Sequence, residues 1–329
     1  MKAPRVSVVM SVYNDERYVK AAVESILHQT FRDFEFIIVN DGSTDGTREI
    51  LSSFHDGRIQ VFDQENRGLT ASLNRGLALA RGEYIARMDG DDVSMPERFA
   101  REVTFLDENP SIGLVGTFAY RMDNRGRRVN LYTYKTDPAE IRENLWVDCP
   151  FCHSAVMYRK ACIDTVGGYR QRIGPAEDLD LWFRITEHFD GANIPEPLHS
   201  FRIDPLGVTV EKRFDQLRAG RLVRLLAEKR RETGHDPLDD WTEEELNETL
   251  EELYPKTLEN IRAVNLANAI YLAEVFYVTG DLRESARWLY RYLKGKPADT
   301  RGWKLFFKLA AGTALPPSVL TKIKRLRHP

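Results

Sequence analysis

The chain has 329 residues, enough for one α/β domain of about 200 residues with a smaller second unit. Hydrophobic residues at 42% and charged residues at 29% suit a folded globular protein, and a net charge of −3 argues against a dedicated nucleic-acid binder. No apolar run reaches the roughly 18 residues of a membrane-spanning helix. Val6 to Tyr13 is too short for the apolar core of a secretory leader, and three cysteines make no disulfide framework.

Val6 to Tyr13 (VSVVMSVY) is β-branched and almost continuously apolar, which predicts a strand buried on both faces of a parallel sheet. Val19, Ala22, Val23, Ile26 and Leu27 then recur at helical spacing. Phe34 to Val39 (FEFIIV) reads as a second buried strand and ends in NDGSTDGT. A helix from about Thr47, a short strand near Ile59 to Phe62 and a helix from Leu69 to Ala80 follow, the last stopped by Gly82. Glu83 to Met88 reads as a further strand running into DGDD. This βαβαβαβ order predicts a parallel sheet with helices on both faces and a ligand site beyond the carboxyl ends of its strands. Tyr13, Asp41 and the acids Asp89 to Asp92 should therefore stand together.

Past Asp92 the alternation is irregular, with a helix expected from Pro96 to Glu108 and a strand from Ile112 to Tyr120. Cys149 and Cys152 stand in CxxC spacing, but a zinc site wants a second pair and only Cys162 and His153 are near, so buried thiols are the plainer reading. Beyond Phe214 glycine is sparse and helical spacing dominates. Thr242 and Glu245 make a capping box, and Ile261 to Lys294 reads as two helices hinged at Gly280. Asp239 to Glu252 holds eight acids and no base, whereas Lys296 to the end holds eight Lys or Arg against Asp299. The basic end, with Trp303, Phe306 and Phe307 beside Lys304 and Lys308, suits either contact with an anionic membrane or a solvated helix face.

Two acidic turns carry chemistry. Asp89, Asp91 and Asp92 repel one another unless a cation or solvent intervenes, which suits Mg²⁺ or Mn²⁺; a surface turn is the bland alternative. Asp41 can accept hydrogen bonds from a base or ribose, Gly42 allows close backbone approach, and Asp45 or Thr44 can cap the next helix. Tyr13 offers a ring to a nucleobase.

VSVVMSVYN, NDGSTDGT, ENRGLTASLNRGL and GEYIARMDGDD, in this order and spacing, resemble the donor half of family 2 glycosyltransferases, and HSAVMYR, GGYR and AEDLDLW resemble the acceptor half. The resemblance covers residues 4–205. It implies a GT-A fold: an α/β, Rossmann-like, mostly parallel sheet sandwiched by helices. Residues 1–213 would form the catalytic domain (1–95 binding nucleotide, 96–213 binding acceptor), with a helical extension over 214–329.

The implied activity is inverting transfer of a sugar from a nucleotide-sugar, UDP by family precedent, to a glycan or lipid-linked hydroxyl. Surface polysaccharide is the expected product, and the cytoplasm, at the cytoplasmic face of a membrane, the expected setting. Ser11, Val12, Tyr13 and Asp41 would bind the nucleoside, with Asn66 and Arg75 contacting it or the diphosphate. Asp89 and Asp91 would form the DxD element, Asp91 as the direct ligand of Mn²⁺ or Mg²⁺. Asp178 would be the general base, with Glu177, His153 and Trp182 lining the acceptor side.

Where many relatives carry Arg-x-His, this chain has Arg202-Ile203-Asp204, so either Asp204 supplies an oxygen ligand or the site is rearranged. Two other classes are weighed. A catalytically silent nucleotide-sugar-binding subunit would not need DGDD and Glu177-Asp178. A nucleotidyltransferase would carry a Gly-rich basic loop where SVYNDERY stands.

Overall fold

The computed structural model describes residues 3–203, 212–311 and 323. Strand β1 (Val6–Val12) is buried at every position, as its apolar run requires. Because side chains alternate across a sheet, Val6, Val8, Met10 and Val12 meet helices α1 (Val19–Leu27) and α4 (Arg98–Glu108) on one face. Val9 on the other face meets α3 (Leu69–Leu79) so closely that a Cβ on Gly76 would lie 2.4 Å from Val9 Cγ1.

Strands β2 (Phe34–Asp41), β3 (Ile59–Gln64) and β4 (Tyr84–Asp89) complete a parallel half-sheet in the order β3-β2-β1-β4, with α2 (Thr47–Ser52) between β2 and β3. The short β5 (Val93–Ser94), β6 (Ile112–Met122), β7 (Arg128–Tyr132), β8 (Met157–Arg159) and β9 (Asp190–Arg202) extend it. The nine described strands run β3-β2-β1-β4-β8-β6-β9-β5, with β7 pairing β6. β8 is antiparallel to β4 and β6, so the sheet is mixed but mostly parallel.

Three helices lie between β7 and β9. α5 (Pro138–Leu145) is capped by Asp137, whose carboxylate accepts from Ala139 N and Glu140 N. α6 (Lys160–Val166) ends at Gly167, and α7 (Glu177–Thr186) follows.

The chain divides into two units. The first holds Met1–Met122, Asn130–Arg202 and Val223–Pro237, and the second Asp123–Val129, Ile203–Leu222 and Leu238–Pro329. Helix α8 (Arg213–Thr233) contributes residues to both. Within the second unit, α9 (Glu243–Leu253) starts at the expected Thr242–Glu245 capping box. Helices α10 (Leu258–Thr279) and α11 (Leu282–Gly295) turn at Gly280, whose φ of +82° is the left-handed conformation that favours glycine. They pack with α12 (Thr300–Ala311) around Ile270, Ala273, Leu289, Leu293, Phe306 and Leu309. Phe306 is thus core and leaves the basic aromatic face; Phe307, Lys304 and Lys308 remain exposed, three and four residues apart on one side of α12. No described helix is long and apolar enough to cross a membrane.

Candidate active site

In the register of the parallel half-sheet, Ser11 lies opposite Val39 on one side and Asp89 on the other, and Asp41 lies opposite Gln64. Tyr13, Asp41 and Asp89 therefore leave adjacent strands at one carboxyl edge. Ser11 and Val12 are buried strand residues, whereas Tyr13 is 49% exposed. Asn14 follows with φ +57°, and the two loops that flank this edge are stitched together. Asn14 Oδ1 accepts from Thr44 N (2.8 Å), Asn14 N donates to Ser43 Oγ (3.0 Å), Asp15 N to Thr47 Oγ1 (2.8 Å), and Gly46 N to Glu16 Oε2 (2.8 Å). Gly46, not Asp45 or Thr44, stands at the N-cap of α2, and Asp45 before it accepts from Thr47 N.

Asp41 is buried and its carboxylate pins the loop before α3: Oδ1 accepts from Gln64 Nε2 (2.7 Å) and Arg67 N (2.9 Å), Oδ2 from Gly68 N (2.8 Å). Burial alone would raise its pKa, but these hydrogen bonds hold it below the ordinary value. Gly42, at φ +74°, passes so near that a Cβ would stand 2.7 Å from Asn66 N. Asn66 is exposed above this crossing. Arg75 points its Nη1 at Asp63 O and Gln64 Oε1, both at 3.0 Å, so it reaches Asp41 only through Gln64.

The acids after β4 form a charged centre. A Cβ on Gly90 would lie 2.6 Å from Asp15 Oδ2, so the absence of a side chain there admits Asp15 to the cluster. Burial, then the charge of Asp91, pushes Asp15 up to about 7. Burial likewise raises Asp91, reinforced by Asp92 and Asp89. Asp92 is turned inward, bonded to Ser154 Oγ, His199 Nε2 (3.0 Å) and Arg202 N (2.8 Å). Arg202 also donates from Nε to Asp91 O (2.8 Å) and lays its guanidinium 3.9 Å from the centroid of the Tyr18 ring. Asp204 lies outside the described residues.

Crowded, partly buried carboxylates of this kind suit a divalent cation. Among the described residues no three His, Cys, Asp or Glu side chains make a ready metal cage. An ion here would take one or two carboxylates, Asp91 first, and complete its shell from ligand oxygens and water, as Mg²⁺ does at diphosphate sites.

Arg87 stands at the centre. It is 1% exposed, Nη2 donates to Asp89 Oδ1 (2.7 Å), Nη1 to Met88 O, and Nε to His153 Nε2 (3.3 Å). Glu177 and Asp178 open α7, where helix N–H groups favour negative charge. Burial raises both carboxyls; the Arg87 charge lowers them and Asp89 raises them, so these acids share one electrostatic centre with the DGDD turn. Cys149 Sγ lies 3.9 Å from Asp178 Oδ2, and Cys149, Cys152 and Cys162 are free thiols.

His153 is half-buried. Trp182 departs from the expected acceptor-side position: it is fully buried, its ring packed against Phe151, His153 and Tyr158. Every residue of α7 from Leu179 to Thr186 is buried, so a tryptophan there is wrapped on all sides.

The sequence reading missed Asp15, Arg87, Ser154 and His199. The first has a signal, as an acid two residues past Tyr13. The others look like ordinary strand or loop residues until the chain is folded.

The family model described as Glycosyl transferase family 2 matches residues 7–167. The chain is 38% identical over 209 residues to "Putative glycosyltransferase EpsE" of Bacillus subtilis (strain 168), covering 61% of this chain and 74% of that protein. Its fold resembles that of S. aureus TarS 1-349 in complex with UDP-GlcNAc (TM-score 0.56, 17% identity, 98% and 90% of the two chains). It also resembles the mannosyltransferase PcManGT of Pyrobaculum calidifontis in complex with GDP-Man and Mn²⁺ (TM-score 0.53, 19% identity, 99% and 86%).

Proposed function

Because this chain belongs to glycosyl transferase family 2 and is a nucleotide-sugar-dependent glycosyltransferase of GT-A fold, we propose that it moves a sugar from a UDP-sugar to a hydroxyl of a glycan or lipid-linked acceptor, inverting the anomeric carbon in one in-line displacement. The product class we assign is surface polysaccharide. The observation that carries this reading is the gathering of Tyr13, Asp41 and the acids from Asp89 onward at one carboxyl edge of the parallel half-sheet.

In this reading Tyr13 stacks on the base, and Ser11, Val12 and Asp41 shape the nucleoside subsite. Asn66 meets the ribose or diphosphate from its exposed position, with Arg75 acting through Gln64. Asp91, with Asp89, would hold Mn²⁺ or Mg²⁺, which when bound neutralises charge on the departing diphosphate. Asp178 takes the proton of the attacking hydroxyl, and its raised pKa brings it nearer the pH at which a base works best. Glu177 and His153 face the acceptor. Exposed Phe307, Lys304 and Lys308 offer contact with an anionic membrane carrying a lipid-linked acceptor; failure to bind anionic vesicles at low salt would remove that part.

The test is donor-dependent release of nucleoside diphosphate with and without Mn²⁺ or Mg²⁺. Release that needs both metal and acceptor supports the reading. Tight donor binding with no turnover over a broad acceptor panel would favour a silent binding subunit instead.

A further inference from the structure

Arg87 and His153 make a contact that the transfer reaction alone does not require. A guanidinium N–H has no lone pair to accept with, so the 3.3 Å contact from Arg87 Nε to His153 Nε2 makes that nitrogen an acceptor. The Tyr169 hydroxyl stands 3.0 Å from the same nitrogen. An imidazole accepting at Nε2 carries its proton on Nδ1 when neutral. Burial first, and the neighbouring Arg87 charge second, hold His153 well below its ordinary pKa, so the ring is neutral.

We propose that Arg87 is a positioning residue which, with Tyr169, fixes His153 as a neutral Nδ1–H hydrogen-bond donor to a hydroxyl oxygen of the acceptor sugar. This rests on the proposed placement of His153 at the acceptor side. The same guanidinium holds Asp89 at 2.7 Å, so one buried cation sets a donor-half carboxylate and an acceptor-half imidazole together. A neutral N–H gives a hydroxyl oxygen a hydrogen bond without the added pull on anions that an imidazolium exerts, and, its proton already on Nδ1, it does not compete with Asp178 for the proton in transit.

Nitrogen-15 NMR of the unliganded protein near neutral pH reads the tautomer directly. The expected pattern is a protonated Nδ1 and a bare Nε2 on His153; an Nε2-protonated ring overturns the proposal. Arg87→Lys, which removes the planar N–H, should shift the ring toward a mixture of tautomers, and an unchanged pattern in a folded variant counts against Arg87. In acceptor kinetics His153→Asn keeps an amide near the Nδ1 position, whereas His153→Gln carries it to the Nε2 position. The acceptor KM of His153→Gln should exceed that of His153→Asn by about tenfold, the size of one hydrogen bond, with donor KM alike in the two. The reverse order would refute the role. The NMR measurement needs no turnover, so failure of the transfer reaction and failure of the tautomer assignment are separately visible.

Discussion

Arg98 has no exposed surface, yet its guanidinium is fully engaged: it donates to Glu102 Oε1, Ser94 Oγ and the carbonyls of Arg87, Ser154 and Val156. It joins α4 to β4 and to the segment entering β8. Arg98→Met should cost about 3–5 kcal/mol, because it strands these acceptors and Glu102 in the interior; urea unfolding of the variant measures this. At the reacting centre, Asp178→Asn should lower transfer by roughly 10²- to 10⁴-fold while calorimetry shows donor affinity largely unchanged. Undiminished transfer would take Asp178 out of the mechanism. Positions were legible where a short motif carries them: DGDD stands at the carboxyl end of β4 and Glu177-Asp178 at the start of α7. Trp182 was misplaced because α7 is buried all round: even its polar stripe of Asp180 and Arg184 is buried in ion pairs, so polarity along the helix marks no solvent face. Phe306 was misplaced for a related reason: two adjacent phenylalanines lie about 100° apart on a helix, and only packing decides which enters the core.

Among elements, the crossing of Gly42 over Asn66 is the tightest constraint on the loop after β2. Gly42→Ala adds both a positive-φ penalty and a 2.7 Å contact with backbone, together on the order of 1–3 kcal/mol. Thermal unfolding should show the loss, and donor affinity should fall with it as the loop shifts. Thr242→Ala, which removes one side of a capping box, should cost only ~1 kcal/mol. The parallel strands and α1, α3 and α4 were readable from periodicity, and Gly280 from its place between two helical runs. Of the later strands β6 was expected, as Ile112 to Tyr120, and β5, β7, β8 and β9 were not. β5 and β8 have two and three residues, too few to show alternation. β9 contains Pro195 and Pro197, which argue against a central strand; it survives because its register against β6 shifts at Thr117/Phe118, where Ile194 gives way to Pro197.

For the molecule as a whole, stability should depend on pH through its buried acids. Glu102 is the cleanest case: burial pushes it up to about 7 against the pull of Arg98, from an ordinary value of 4.5. The native state then binds more protons than the unfolded state between these values, so its contribution is present below 4.5 and is lost as pH rises through about 7. Glu102→Gln should flatten that part of the stability profile relative to the parent, by on the order of 1–3 kcal/mol over the window; identical profiles would refute it. A UDP-sugar with Mn²⁺ should raise the melting temperature more than either alone, and ligand at a hundred times its Kd should stabilise by about 2.7 kcal/mol. The parallel order of the first strands and the helical C-terminus were legible at this scale because they are written in long periodic runs. The antiparallel return through β8 depends on contacts far apart in sequence. The stitched loops around Asn14 and Ser43 carry one more consequence. Loops that are cross-braced before any guest arrives forfeit little chain freedom when one binds beside them. Calorimetry of donor binding should therefore show only a small entropic penalty, and amide exchange in residues 14–16 and 43–47 should already be slow in the empty protein.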